Sequence, residues 1–119
     1  MVGDNMSPRQ LEHFAKIKRA KQAALEWART RGVPLVHIDH VATFEDWDHG
    51  IEVWFFFETD SERQQCDADG ITRQLSDFYR QKLQEDGYDF AAFPEVQFHA
   101  DSKQNVDAKF QGSYFYRLR

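Results

Sequence analysis

Cysteine is all but missing from this chain. Cys66 stands alone among 119 residues, so no internal disulfide can form. Its neighbours are Gln65 and Asp67, and an acidic flank disfavours the thiolate, so Cys66 reads as an inert thiol in a reducing cytoplasm. Long apolar runs are missing too. The longest, Val53 to Phe57, is five residues and too short to span a bilayer. Proline (3) and glycine (6) are sparse and unrepeated, which excludes collagen-like and low-complexity chains. An excess of positive charge is lacking as well. The net charge is −5, the opposite of what counterion-driven nucleic-acid binding favours. The first six residues show no basic stretch leading into an apolar one, so no secretory leader is expected. Residues 1–6 read as a disordered N-terminus, and 7–119 as a single α+β domain.

What is present is well punctuated. Ser7-Pro8-Arg9-Gln10 offers a serine cap, proline at the first helical position and glutamine at the capping-box position. Leu11, Phe14, Ile17, Ala20, Ala24, Trp27 and Ala28 follow at helical spacing up to Arg31 and Gly32, which predicts a helix over 8–31. Pro34 opens a strand over 35–42, and Ile51 to Glu58 forms a second, paired with it as an antiparallel hairpin. Thr59 to Asp69 reads as a polar connector. Ile71, Leu75, Phe78, Tyr79 and Leu83 mark another long helix. Pro94 opens a third strand through Ala100, a short helix follows over 103–110, and Ser113 to Leu118 reads as a fourth strand. The expected architecture is a two-layer α+β sandwich: a four-stranded, mainly antiparallel sheet with two long helices on one face. Strand order stays open.

Register follows from burying the least charge. Val36, Ile38, Ala42, Ile51, Val53, Phe55 and Phe57 are expected against the helices, with His40 as a misfit on that inner face. His37, Asp39, Glu52, Trp54, Phe56 and Glu58 are then expected on the outer face. Exposed aromatics beside acids mark a surface that needs covering, and Trp and Tyr anchor protein interfaces. The cover could be a second copy, a partner protein, or the 59–69 and 88–93 loops folding back.

Charge is divided along the chain. Residues 1–32 hold seven Lys/Arg and three Asp/Glu (+4), and the rest hold eight and seventeen (−9). The basic first helix could present Lys18, Arg19 and Lys21 to RNA, or could be a solvated face beside an acidic body. The densest group of possible metal ligands is His40, Asp46, Asp48 and His49 at the hairpin tip. Its spacing matches no strong template. Asp67-Ala68-Asp69-Gly70 lacks the remaining ligands of a calcium loop. His37 beside Asp39 could act as a base, with His99 facing the same side, but no nucleophile motif accompanies them.

The first expectation for function is a small, acidic, non-enzymatic cytoplasmic protein. It would act without a cofactor through its aromatic–acidic sheet face, on a protein partner (as an inhibitor, immunity-type or accessory protein) or on itself as a homodimer. The alternatives are a small metal-dependent or hydrolytic enzyme centred on His37, Asp39 and the hairpin tip, and RNA binding through the first helix.

Overall fold

The computed structural model describes residues 7–41 and 50–118. The expected disordered N-terminus, residues 1–6, lies outside them. The fold is α+β, with α1 (Pro8–Thr30), β1 (Leu35–Val41), β2 (Gly50–Phe57), α2 (Asp60–Ala68), α3 (Ile71–Glu85), β3 (Glu95–Ser102), α4 (Lys103–Lys109) and α5 (Tyr114–Leu118). Among the described residues, no helix is long and apolar enough to cross a membrane.

Helix α1 begins as its sequence dictates. The Ser7 hydroxyl accepts from the Gln10 amide at 3.1 Å, and the Gln10 side chain accepts from the Ser7 amide at 2.9 Å. This reciprocal box satisfies two amides that the first turn leaves without helical partners. Ile17, Ala20, Ala24 and Ala28 are buried on one side of the helix. Small alanines there let α1 approach the sheet and α3 closely.

The sheet is smaller than expected and mixed in direction. Three strands pair in the order β1-β2-β3 among the described residues. β1 and β2 are antiparallel, whereas β3 runs parallel to β2. The expectation of four mainly antiparallel strands is therefore corrected. Two helices, α2 and α3, intervene between β2 and β3, which gives the chain the length that a parallel return requires.

Two elements differ from the sequence reading. Residues 60–68 are helical, although they carry no apolar stripe. The Thr59 hydroxyl caps this helix by accepting from the Glu62 amide at 3.1 Å, and Asp60 and Glu62 favour the positive end of its dipole. Cys66 is its one buried residue, and burial pushes the thiol pKa up. The expected fourth strand is instead helix α5, against the opposite face of the sheet from α1 and α3. With helices against both faces, the description of helices on one face alone is incomplete.

The core joins Ile17, Ala20 and Ala24 of α1, Leu75, Tyr79 and Leu83 of α3, and the inward side chains Ile38, Ile51, Val53, Phe55, Phe57 and Val96. Tyr79 is fully buried, and its hydroxyl donates to the Ile17 carbonyl at 3.3 Å, tying α3 to α1. Tyr79→Phe keeps the ring and removes that bond, so a loss of about 1 kcal/mol in urea unfolding is expected. An unchanged midpoint would mean that the bond contributes nothing net.

Candidate functional site on the outer sheet face

Alternation along three paired strands sets the site out as a lattice. Cross-strand pairing places Val41, Glu52 and Gln97 in one row, Asp39, Trp54 and His99 in the next, and His37, Phe56 and Asp101 in the third. Period-two alternation sends all nine side chains to the same face. A β-bulge at Val36 creates this register, because Leu35 pairs with Phe57 and His37 pairs with Phe56. The extra residue reverses the facing of the strand's first turn. Leu35 packs against the core, and Val36, expected inside, is 40% exposed.

Two histidine–carboxylate pairs lie on this face. His37 Nε2 is 3.4 Å from Asp39 Oδ2, and Asp39 Oδ1 accepts from the His40 amide at 2.9 Å. The hydrogen bond to His37 holds the Asp39 carboxyl below its ordinary range, outweighing the burial that pushes it up. His99 Nε2 is 2.9 Å from Glu52 Oε1. Trp54 stacks on the His99 ring with centroids 4.6 Å apart.

Helix α5 covers part of the lattice. The Tyr114 ring stacks on His37 at 4.0 Å and meets Phe56 edge-on at 4.7 Å. The Arg117 guanidinium lies 4.6 Å from the Trp54 ring centre and is paired with the Asp101 carboxylate. Asp101 is 7% exposed and also accepts from the Asn105 side chain and the Ser102 amide. Burial pushes the Asp101 carboxyl up, but the bonds from Arg117, Asn105 and Ser102 together hold it below its usual value.

The expected face is thus assembled only in part. His37, Asp39, Glu52 and Trp54 share it and are partly exposed. Phe56 shares it but is fully buried, which corrects its expected exposure; Tyr114 is packed on it. Glu58 lies past the end of β2. It borders a hollow of about 450 Å³ with Thr59, Lys103, Gln104, Asp107 and Ala108. Asp101 and Arg117 were not anticipated from the sequence, and Tyr114 reaches the face from a helix rather than from the expected fourth strand. The available signal was the spacing of Tyr114 and Arg117, three residues apart and on one side of a helix.

Of the candidate metal group, only His40 lies among the described residues. His40 faces the core beside Val53, and its Nδ1 has no hydrogen-bond partner. Burial and nearby Lys21 lower the His40 pKa to about 4. Asp46, Asp48 and His49 lie outside the described residues. Among those described, no three His, Cys, Asp or Glu side chains are placed to hold a metal ion.

On α1, the positive charges are largely engaged. Arg19 bonds Asp86 and Glu12, Lys16 donates to the Gly87 carbonyl at 3.1 Å, and Arg29 pairs with Glu26. Lys21 is partly buried, which lowers its pKa, while Lys18 is exposed. Glu12 and Glu26 thus interrupt the positive charge along the helix, where a polyanion follows a continuous stripe. No match to this chain was found among protein-family models, curated proteins or solved structures.

Proposed function

We propose that this chain is a binding protein whose outer sheet face receives an arginine-bearing segment of a basic protein. The observation that carries this reading is Arg117, which lies over Trp54 and against Asp101 on that face. The same surface therefore suits a guanidinium in two ways: an aromatic ring beneath it and carboxylates beside it. Asp39 and Glu52 remain partly exposed around Trp54 and add negative charge without filling the surface. Complementary charge of this kind raises association rates and selects against acidic partners.

Nuclear magnetic resonance with an arginine-rich peptide at low salt tests the reading. The Trp54 indole resonance and the amides of Glu52 and His99 are expected to shift. Trp54→Ala is expected to weaken binding by about tenfold, the loss of one well-placed cation–π contact with its buried apolar area. Shifts confined to α1, or none on the sheet face, would sink the proposal. A hydrolytic reading has one observation in its favour, the His37–Asp39 pair. Ester or phosphoester hydrolysis that His37→Ala abolishes would replace the binding reading with that one.

A further inference from the structure

We propose that α5 is a displaceable cover, and that the partner segment takes its place with the same chemistry: an aromatic ring and an arginine three residues apart. This rests on the reading of the outer face as a binding surface. Helix α5 is five residues long and buries none of them. So short a helix has almost no stability of its own, because the cost of nucleating it is not recovered over one turn. It follows Gln111 and Gly112, both at positive φ (56° and 75°), which reverse the chain after α4.

Tyr114 and Arg117 place α5 on the sheet. Its other side presents Phe115 and Tyr116, which are 69% and 50% exposed. The ground beneath is unlike an ordinary solvent face. Phe56 is fully buried and Asp101 nearly so, the second with its charge matched by Arg117. Removing the cover with nothing in its place takes the paired cation from the Asp101 carboxylate and bares an aromatic ring. Exchange for a segment that brings its own ring and guanidinium leaves both satisfied. The occupant is therefore defined by the residues it must replace, and the negative charge of Asp39 and Glu52 nearby favours a segment drawn from a basic protein.

The test uses the full-length Arg117→Ala chain and a synthetic peptide with the sequence of residues 112–119. Binding is read from the Trp54 indole resonance. The peptide is expected to bind the variant at least about tenfold more tightly than the wild type, where α5 competes for the same ground. A peptide with glutamine in place of its arginines is expected not to bind. Equal affinity for the two proteins overturns the cover but leaves the face as a binding surface. Binding to neither overturns both. A dimer of the wild type that the peptide dissolves makes the α5 of a second copy the occupant, and overturns exchange with a foreign segment. If the variant does not fold, hydrogen exchange of the wild type decides. The Arg117 amide, which donates to Ser113, is expected to exchange at least about a hundredfold faster than the Phe55 amide in β2. Equal protection of the two overturns the proposal.

Discussion

Acidification from pH 7 to pH 4 is expected to cost this fold about 3 kcal/mol through His40 alone. His40 sits on the inner side of β1, with a pKa lowered from 6.5 to about 4 by burial and then by Lys21. Above pH 6.5 the ring is neutral in both the folded and unfolded chain, and the group favours neither. As the pH falls below that value the unfolded chain takes up a proton that the folded chain refuses. Stability then declines until the folded ring titrates near pH 4. His13 acts in the same direction, its pKa lowered by burial and by Lys16 and Arg9. Asp39 and Asp101 act later. Their folded pKa values lie below 3.8, so their contributions persist above that value and fade only in stronger acid.

The measurement is urea unfolding at about pH 7.5 and pH 4.5 for the wild type and His40→Phe. Phenylalanine is close in size and leaves no buried nitrogen without a partner. The wild type is expected to lose about 2–3 kcal/mol more than the variant between the two conditions. Equal losses would show that the ring is protonated in the fold at little cost.

Gly50→Ala is expected to remove about 3–5 kcal/mol, combining a disfavoured backbone with a hard clash. Gly50 has φ +138°, and a Cβ there would lie 1.9 Å from the Glu95 carbonyl oxygen. The obstacle is backbone, which cannot swing aside as a side-chain tip can. Gly50 and Glu95 are the first pair of the parallel β2–β3 ladder, so relief of the clash must pull that end apart. Gly32→Ala is the control. It also has positive φ (+67°), but nothing lies within 4 Å of the added carbon. A loss of only about 1–2 kcal/mol is expected there. Similar losses for the two variants would mean that β3 shifts to admit the methyl group.

Much of the architecture could be read locally. Ser7, Pro8 and Gln10 set the start of α1, and its alanine and isoleucine spacing set the buried side. The placing of His40 on the inner face came from charge and alternation alone, and its pairing with Val53 agrees. Helix α2 escaped because periodicity had nothing to act on in Asp60–Ala68. Its Thr59 and Glu62 caps were the legible signal. The segment 113–118 misled for a different reason. Tyr114, Phe115 and Tyr116 carry high strand propensity, yet that propensity measures fit to a half-buried pleated surface. Here the Ser113 hydroxyl accepts from the Tyr116 amide, and the helical turn brings Tyr114 and Arg117 to the sheet together. A strand would have sent residues three apart to opposite sides.

The candidate site divides along the same line. Asp39, Trp54 and Glu52 could be grouped from alternation, because period two is a property of each strand by itself. The bulge at Val36, the parallel return of β3 and the descent of α5 onto Phe56 could not. Each depends on a neighbour distant in sequence. By itself the sequence determined where most elements begin and end, which β2 side chains are apolar on the inner side, and that His40 would face the core. Caps, helical periods and alternation are local consequences of backbone geometry and burial. Only the tertiary structure decided the direction of β3, the need for glycine at position 50, and what covers Trp54 and Phe56. Those features arise from contacts between segments about 40 to 60 residues apart, whose net free energy outweighs local propensities of a few tenths of a kcal/mol per residue.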